Sequence, residues 1–420
     1  MSLEYVSLGE VADITKLAGF EFTKYIDYLD YGEIVALRAL NLRNGSLDLS
    51  DVKYISKEVS ESLPRSKLYK NDILLTYTGN GYGDCAIVKE NDKYHLAPNI
   101  AKISPKKINP YFLFEFINSK YFKKQMRNFI GGSSQPTIPM KTLRILEVPF
   151  PEEEIQNKIA IILSNINKKI TINKEINKNL EQLLYTIFNY WFISFDKFKN
   201  VKFKQSPLGD IPDGWDCGAL RDLLTLTKNP IKADETNGLP YLPIDIIPMN
   251  SLGISELKSD EEANSSLITF NKNDILIGAM RVYFHRVVIS PCSGVTRSTC
   301  FVLNPKQEHH LSYLLLLCNL DKTIQYAQNT SKGTTMPYAV WDNGLGDMDI
   351  IIPSDDILLE FHKLVFPIIE KIRDSYLEIN KLSKLRDILL PKLMSGEIDV
   401  SKINCDLIIY MNQKIKLKKN

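Results

Sequence analysis

One pentapeptide occurs twice in this chain, about two hundred residues apart. Lys70–Leu74 and Lys272–Leu276 both read KNDIL, an offset of 202. Three further pairs of markers keep offsets of 201 to 203: Gly132–Pro136 with Gly333–Pro337, Pro151–Ile155 with Pro353–Ile357, and Ile176–Lys178 with Ile379–Lys381. A nearly constant offset across separated markers indicates that a whole unit was duplicated. Two copies with a period near 200 predict a doubled domain rather than a solenoid.

Each half shows the same order of short apolar runs, a helix, a Gly/Ser/Thr loop and a proline. The runs GEIVALRAL, NDILLTYT and CAIVKE in the first half, and LPYLPIDII, NDILIGAM and RVVISP in the second, predict strands. Pro110 is at a favoured first position of the helix that follows. Strands mixed with helices in this way favour an α/β module in each half.

After each proline the apolar residues follow a heptad repeat. Of eleven positions at alternating spacings of four and three, nine are apolar, which predicts a coiled-coil seam. Two long amphipathic helices in one chain are expected to pair with each other, with Asn173 fixing their register and Pro367 breaking or kinking the second. The predicted seam positions are 155, 159, 162, 166, 169, 173, 176, 180, 183, 187 and 190, and 365, 368, 372, 375, 379, 382, 386, 389 and 393.

Composition excludes several classes of protein. The 420 residues suggest two to three domains, and 44% hydrophobic with 24% charged residues is ordinary for a soluble protein. No apolar run is long enough to span a bilayer, and the N-terminus does not resemble a signal peptide, so we expect a cytoplasmic protein without a membrane partner. Six scattered cysteines predict reduced thiols. A basic stretch, residues 101–130, is compatible with phosphate binding or with a solvated helix face.

No catalytic motif is complete. The glycine-rich residues 78–84 favour a tight hairpin over a nucleotide loop. Asn109-Pro110-Tyr111 lacks the second proline of the adenine methyltransferase loop, and Asp245 with Glu256–Lys258 has no counterpart in the first half. The five histidines show no metal-ligand spacing. We therefore expect a binding protein with no catalytic residues and no cofactor or metal of its own.

Taken in order, these features resemble the specificity (S) subunits of type I restriction–modification systems. Residues 151–192 look like the central conserved helical region of that family, LGDIPDGW (208–215) like the entry to its second target-recognition domain, and residues 385–400 like its C-terminal conserved region. KNDILLTYTGNGYGDCAIV, INPYFLFEFI and GGSSQPTIP match its domain framework. The second half departs from the pattern, because AMRVYFHRVV replaces the glycine hairpin and Met336-Pro337 replaces Gln-Pro.

The resemblance implies an α+β protein with two α/β target-recognition domains, a pair of long antiparallel coiled-coil-like helices, and internal duplication with pseudo-two-fold symmetry. Each domain would read one half of a bipartite site in the major groove of double-stranded DNA, and the helices would hold the domains at a fixed distance. The implied domains are target-recognition domain 1 (1–151), a helical spacer (152–195), a linker with target-recognition domain 2 (196–353), a second helical spacer (354–400) and a tail of unknown role (401–420).

The resemblance also implies partners. Two methyltransferase (M) subunits would dock, bring S-adenosylmethionine and methylate adenine. Two restriction and translocase (R) subunits, with ATP and Mg, would complete the restriction enzyme. This chain itself would be non-catalytic and would bind no cofactor.

Candidate base readers are polar or aromatic residues in loops where the two halves diverge. Arg and Gln can make bidentate contacts to guanine and adenine edges. The candidates are Arg38, Thr76, Tyr77, Thr78, Asn80, Ser133, Ser134 and Gln135 in the first half, and Arg281, Tyr283, His285, Arg286, Lys332, Thr334, Thr335 and Tyr338 in the second.

Three other functional classes stay open on the residues alone. One is a DNA- or RNA-binding scaffold unrelated to restriction, which would lack a methyltransferase partner. Another is the specificity chain of a different methyltransferase architecture, which neighbouring genes would distinguish. The third is an enzyme, for which methylation by the chain alone would be decisive.

Overall fold

The computed structural model describes residues 4–43, 45–79, 81–129, 136–254, 256–263 and 266–403. The chain divides into two compact units. Unit 1 comprises Met1–Lys168 and Ser383–Asn420, and unit 2 comprises Lys169–Leu382. Among the described residues, no helix is both long and apolar enough to cross a membrane.

The elements of the first half are short apart from one helix. The strands are β1 Tyr5–Ser7, β2 Ala12–Lys16, β3 Ile34–Leu37, β4 Leu42–Arg43, β5 Ser46–Leu47, β6 Lys53–Ile55, β7 Ile73–Thr76, β8 Cys85–Ile87, β9 Tyr94–Leu96, β10 Ile100–Pro105 and β11 Glu147–Pro149. The helices are α1 Leu8–Val11, α2 Gly19–Tyr25, α3 Lys57–Ser62, α4 Pro110–Ile117, α5 Lys120–Arg127, α6 Met140–Arg144 and α7 Glu153–Phe188.

The second half follows the same pattern. Its strands are β12 Phe203–Ser206, β13 Gly209–Pro212, β14 Asp216–Ala219, β15 Leu224–Thr227, β16 Pro230–Ile231, β17 Tyr241–Leu242, β18 Leu267–Phe270, β19 Ile275–Gly278, β20 Val287–Ile289, β21 Gly294–Arg297, β22 Cys300–Pro305 and β23 Asp349–Ile352. Its helices are α8 Leu220–Leu223, α9 Leu311–Cys318, α10 Asp321–Asn329 and α11 Asp355–Met394.

The main sheet has the same strand order in both units. It is β2-β10-β7-β8 in unit 1 and β15-β22-β19-β20 in unit 2, and all neighbouring strands are antiparallel. Each unit also contains one parallel pair, β3 with β9 and β17 with β21. Every residue of β7 and β19 is buried. Burial on both faces explains why these strands are continuous apolar runs instead of alternating ones.

The repeated asparagine of KNDIL occupies the same backbone conformation in both units. Asn71 has φ +76° and Asn273 has φ +71°, in the left-handed region that asparagine tolerates better than most residues. The N–H of Asn71 donates to the carbonyl of Val88 (2.9 Å), and that of Asn273 donates to Ser290 (3.1 Å). The letters recur because the turn into the buried strand requires them.

The repeated aspartate connects this turn to the neighbouring strand. Asp72, 5% exposed, accepts from the N–H of Tyr69 (2.8 Å) and from the hydroxyl of Ser104 on β10 (2.5 Å). Asp274, 4% exposed, accepts from the N–H of Asn271 (2.7 Å) and from an amide on β22. The framework role expected for the repeated letters therefore has a hydrogen-bonding basis in both units.

Helix α4 begins where the sequence predicts. The side-chain oxygen of Asn109 accepts from the N–H groups of Tyr111 (2.9 Å) and Phe112 (3.0 Å), and Pro110 occupies the first helical position. Asn109 is thus an N-cap.

In unit 1, a buried polar network joins α4 to both long helices. Asn167 of α7 donates to Glu115 of α4 (2.7 Å), and Arg386 of α11 donates to Asn167 (3.1 Å). Glu115 is 3% exposed, and burial raises its pKa to about 7, against the opposing effects of Asn167 and Arg386. The short helix is therefore attached to the long ones by a specific contact as well as by apolar packing.

In unit 2, the long helices are joined to residues 251–253 by hydrogen bonds and by the packing of a tyrosine ring against a glycine. Glu181 of α7 accepts from the hydroxyl of Ser251 and the N–H of Leu252, both at 3.1 Å. The hydroxyl of Tyr376 of α11 lies 2.7 Å from that of Ser251. A Cβ added at Gly253 would lie 1.9 Å from the ring of Tyr376. Only glycine permits this approach.

The long helices run antiparallel within unit 2. The amide of Asn173 donates to Glu378 (2.8 Å), and further along α7 the rings of Phe188 and Phe361 are 6.2 Å apart. Residue numbers therefore rise along one helix as they fall along the other. Asn173 is only 4% exposed, which confirms a buried polar residue in the seam. Its carboxylate partner is a feature that the periodicity did not reveal.

The predicted seam of α7 is half correct. Positions 159, 166, 173, 180 and 187 are buried or half-buried. The companion line is correct only at its start, where Ile155 and Ile162 are half-buried. Further along, Ile176, Leu183 and Tyr190 are 36%, 45% and 48% exposed. The line one residue later, 163, 170, 177, 184 and 191, is buried instead. A line of residues at heptad spacing can be completed by a second line on either side of it. The line that is buried contains the polar Asn177, so the more apolar line was predicted instead.

In α11 the predicted seam agrees with burial, since all nine positions are buried or half-buried. The prediction that Pro367 breaks the helix is wrong. The helix runs unbroken from Asp355 to Met394, and Pro367 lies on its exposed side.

Residues 196–215, at the start of the segment predicted to be a linker with target-recognition domain 2, are part of the core of unit 2. They form the β12–β13 hairpin, and Phe198 and Trp215 are 6% and 3% exposed. Their rings lie 5.0 Å apart in an edge contact, and Trp191 lies 6.1 Å from Phe198. The lysines and prolines suggested a flexible connection, but the aromatic residues between them determine the packing.

Candidate nucleic-acid interface

Two loops in which the halves diverge are brought together in each unit. We call residues 77–84 and 279–286 the turn loops, and residues 136–138 and 332–339 the proline loops. In unit 1, the N–H of Gly79 donates to the carbonyl of Pro136 (3.1 Å), and that of Ile138 donates to Tyr77 (3.0 Å). The hydroxyls of Thr78 and Thr137 lie 2.5 Å apart. The predicted reader Thr78 thus lies where the two loops meet.

Unit 2 repeats these bonds at equivalent positions. The N–H of Arg281 donates to the carbonyl of Pro337, and that of Ala339 donates to Ala279, both at 2.8 Å. Within the proline loop, Lys332 and Tyr338 exchange two backbone hydrogen bonds of 2.9 Å. Different sequences are therefore held by the same backbone bonds, which is what a common scaffold for variable recognition requires.

A cleft of about 710 Å³ opens beside the turn loop of unit 1. We call it the unit 1 cleft. Most of the residues that line it follow β3 or β7, or precede β10, in the sequence. The ends of these strands therefore bring the walls of the cleft together. It is lined by Phe22, Tyr28, Arg38, Ala39, Leu40, Leu42, Arg43, Thr78, Gly79, Gly81, Asp84, Pro98 and Asn99.

Positive charge predominates around the unit 1 cleft. Arg43 is well exposed, and its nearest carboxylate, Asp48, is 3.9 Å away. Burial raises the pKa of Asp84, and the nearby charges of Lys123 and Arg43 oppose that shift. An arginine with a weak internal partner beside an open cleft is suited to contact a phosphate or a guanine edge.

Arg38, one of the predicted base readers, lines the same cleft, but part of its guanidinium is engaged in hydrogen bonds within the unit. One of its terminal nitrogens donates to the backbone carbonyl (3.0 Å) and to the carboxylate (2.9 Å) of Asp51. Its side chain is 22% exposed. Arg38 therefore braces the cleft wall while presenting only part of its guanidinium.

An equivalent cleft of about 420 Å³ lies in unit 2 and is called the unit 2 cleft. It lies after β17, after β19 and before β22, as its counterpart does. Its lining mixes both charges: Tyr241, Pro243, Ile244, Asp245, Lys258, Glu262, Met280, Arg297 and Thr299.

Both cations that line the unit 2 cleft have partners within it. Lys258 forms an ion pair with Glu262 (2.7 Å), and Arg297 donates to the hydroxyl of Tyr241 (3.1 Å). Asp245 and Lys258, which were considered in the sequence as part of a catalytic motif without a counterpart in the first half, both line this cleft.

Two predicted readers of unit 2 support the backbone. Arg286 donates to the carbonyls of Ile244 (2.6 Å) and Asp245 (2.8 Å). The Nε2 of His285 lies 2.6 Å from the side-chain oxygen of Asn319, and its Nδ1 lies 3.3 Å from Asp321. Both side chains hold the turn loop against neighbouring elements.

The remaining predicted readers of unit 2 are exposed around the paired loops. Tyr283 is 45% exposed and its ring lies 4.9 Å from that of Phe284, while Tyr338 is 47% exposed. The other exposed candidates are Arg281, Lys332, Thr334 and Thr335. Cations and aromatic rings on one exposed surface can contact phosphates and bases together.

In unit 1 the predicted readers are less uniform. Thr76 has no exposed surface, because it lies inside β7, so it has no route to a base in this conformation. Tyr77 is half-buried, with the ammonium of Lys16 5.2 Å from its ring. Asn80, Ser133, Ser134 and Gln135 lie outside the described residues.

Sequence reasoning missed Phe22, Tyr28 and Arg43. The rings of Phe22 and Tyr28 lie 5.8 Å apart at the unit 1 cleft. Five aromatic residues between Phe20 and Tyr31, in a segment with little strand pattern, were an available signal. Arg43 gave none, because only the folded chain places it beside Thr78.

The basic stretch of unit 1 is less available than its composition suggests. Lys102 is 8% exposed and donates to the carbonyl of Lys67 (2.9 Å), and burial lowers its pKa. Lys106 pairs with Asp13 (2.7 Å) and Lys120 with Asp387 (3.5 Å). Much of this charge is used within the unit.

Comparison with known proteins identifies the family. Residues 2–182 match the family model described as Type I restriction modification DNA specificity domain. The chain is 31% identical to the type I restriction enzyme MjaIX specificity subunit of Methanocaldococcus jannaschii over 70% of each chain. It is 22% identical to the HindI specificity subunit of Haemophilus influenzae over 93% of this chain and 98% of that one.

A solved structure shows the same fold. The crystal structure of a type I restriction–modification S subunit from M. genitalium superposes with a TM-score of 0.58 at 16% identity, covering 93% of this chain and 96% of that chain. The 31% identity to the MjaIX subunit over 70% of each chain, with the matching family model, shows that the chain belongs to the family of type I restriction–modification DNA specificity subunits.

Proposed function

We propose that this chain is the non-catalytic specificity subunit that reads a bipartite DNA target, one half with each unit. The supporting observation is that both units hold a turn loop and a proline loop by the same backbone bonds beside clefts of different chemistry. Matching scaffolds with different linings suit a subunit whose halves recognise different base sequences. The chain would act in the cytoplasm, where its DNA is.

The matching sheet orders and turns also support internal duplication with pseudo-two-fold symmetry. On this proposal, residues 1–151 and 196–353 contain the two recognition domains, and residues 152–195 and 354–400 are helical spacers. The unit 1 cleft would read through Arg43, Thr78 and the neighbouring aromatic residues. The surface of unit 2 would read through Arg281, Tyr283, Lys332 and Tyr338.

Methylation would be performed by partner subunits. Ile176 and Leu183, two helical turns apart on α7, are 36% and 45% exposed although both are large and apolar. Apolar residues at heptad spacing on a solvent-facing helix favour a protein partner. We propose that methyltransferase subunits, two per chain, dock on the long helices and bring S-adenosylmethionine. Two restriction subunits would bring ATP and Mg.

The reading proposal is tested by sequencing methylated adenines in cells that co-express the chain with its methyltransferase. Arg43→Ala should relax one base position in one half-site, since a bidentate arginine contributes about 1–3 kcal/mol of discrimination. Arg65→Ala, an exposed arginine of the same unit outside the cleft, is the matched control. Relaxation in the other half-site, or equal effects of both variants, would contradict the assignment.

The docking proposal is tested by co-purification. Ile176→Glu with Leu183→Glu should abolish recovery of the methyltransferase, because two charges would enter an apolar interface. The control is Lys178→Glu, which adds a glutamate at an exposed position two residues away, about 200° around the helix. Unchanged recovery with the double variant would refute docking on this face.

A further inference from the structure

Two histidines and an aspartate that are distant in sequence meet in unit 2. The Nε2 atoms of His309 and His310 lie 2.8 Å and 2.9 Å from the same carboxylate oxygen of Asp355. One ligand atom from each of the three side chains lies within 4.8 Å of the others. Among the described residues, this group of three is where histidine and acidic side chains come closest to a metal-binding arrangement.

Local structure fixes the three side chains. The histidines occupy the short helical turn Glu308–His310 that leads into α9, and Asp355 is the first residue of α11. His310 is 4% exposed, and its ring meets that of His309 edge-on at 4.6 Å. One imidazole is thus held inside the unit, while the side chain of Asp355 is 63% exposed and free to adjust.

The donor set fits a borderline transition metal. Two imidazole nitrogens and one carboxylate, with a position left for water, are typical of Zn²⁺ sites. Ligands about 2.0–2.1 Å from a tetrahedral ion are separated by roughly 3.4 Å. The present separations are about half an ångström shorter, and an outward rotation of the exposed carboxylate would open them.

We propose that His309, His310 and Asp355 bind one divalent transition-metal ion, with Zn²⁺ as the best match. The ion would link the start of α9, in the recognition part of unit 2, to the start of α11. Binding to the folded state alone stabilises that state by mass action. The site is independent of the proposed DNA recognition, because no residue of the unit 2 cleft takes part.

The test uses the full chain without a histidine tag, titrated with Co²⁺ as a visible probe and then with Zn²⁺. We expect one Co²⁺ per chain, with the absorption of a four- or five-coordinate ion, displaced by Zn²⁺. The thermal midpoint followed by tryptophan fluorescence should rise with Zn²⁺ and fall again with a chelator. All three tryptophans, Trp191, Trp215 and Trp341, lie in unit 2 and report on it directly.

Variants separate this site from adventitious binding. Asp355→Asn keeps the shape of the helix start, and His309→Gln changes a partly exposed ring, so both should fold and lose at least tenfold in Co²⁺ affinity. The control is His362→Gln, because His362 lies seven residues along α11 and contacts Ser312 (2.9 Å) outside the group. Affinity unchanged in the first two variants, or lost equally in the control, would overturn the proposal.

Discussion

The clefts of the two units lie at the same place in matching sheets, yet they present different surfaces. The unit 1 cleft is larger, and one of its two arginines, Arg43, has only a distant carboxylate partner. In the unit 2 cleft, Lys258 is paired with Glu262 and Arg297 with Tyr241. Its exposed cations and aromatic rings are on the adjoining loops instead. On the proposed function, one scaffold would support recognition inside a cleft in unit 1 and recognition on the loop surface in unit 2.

The parts that agree between the units are those that hold the backbone. Asn71 and Asn273 share a left-handed turn, and Asp72 and Asp274 connect that turn to the neighbouring strand. The side chains that differ follow immediately after the common strand. If the proposed readers contact DNA, residues that stabilise the fold and residues that set the specificity follow one another in one segment. The readers could then vary without loss of stability.

The largest effect should come from removing the repeated aspartate. Asp72→Ala or Asp274→Ala leaves a buried N–H and a neighbouring side-chain donor without an acceptor, at a cost of about 2–5 kcal/mol. Hydrogen exchange should rise in β7 and β10 for the first variant, and in β19 and β22 for the second. Asp13→Ala, at an exposed position of unit 1, is the control. Loosening of both main sheets by one variant would contradict separate cores.

An effect of intermediate size should distinguish arginines that support the backbone from arginines proposed to contact DNA. Arg286→Ala removes the donor to two carbonyls of the cleft wall and should lower the free energy of unfolding of unit 2 by about 1–3 kcal/mol. Arg281→Ala, at an exposed position, should change it by less than about 0.5 kcal/mol but weaken DNA binding. Urea unfolding followed by tryptophan fluorescence measures the first quantity. Equal stability losses would show that Arg281 also supports the fold.

The smallest effect is a dependence on pH. Burial raises the pKa of Asp274 to about 6 in the folded state, above its ordinary value of 3.8. Its contribution to stability is therefore fully present below about pH 3.8 and lost as pH rises through about 6. Between pH 4 and pH 7, the urea midpoint of the unchanged chain should fall relative to that of Asp274→Asn.

The control for this pH series is Asp72→Asn. That change lies in unit 1, whereas tryptophan fluorescence reports unit 2. A constant difference between Asp274→Asn and the unchanged chain across the pH range would show that Asp274 is not shifted by burial.

Regular, local patterns made much of this fold predictable. The constant offset predicted two similar modules, and the main sheets of the two units do share a strand order. Asn109 and Pro110 marked the start of α4, and the glycine-rich segment indicated the β7–β8 hairpin. These features depend on residues close in sequence. The choice between two heptad lines in α7 was not settled locally, because it depends on which face meets the rest of the unit.

Contacts between distant residues account for what was missed. Arg43 is a candidate for DNA contact only because β7 ends beside it in the folded chain. Arg286 supports the backbone only because the carbonyl of Ile244 lies within hydrogen-bonding distance of it. His309 and His310 both contact Asp355, which lies 46 and 45 residues later in the chain. Charge and residue type suggested the candidate residues. Contacts between residues distant in sequence determine which of these side chains are engaged within the fold.

The central claim is that each unit reads its own half of the DNA target. The direct measurement is to replace residues 1–151 with the corresponding domain of another family member, co-express the hybrid with the methyltransferase and sequence the methylated adenines. The account predicts a new sequence in one half-site and an unchanged sequence in the other, with the reverse result for residues 196–353. A change in both half-sites from either exchange would contradict it.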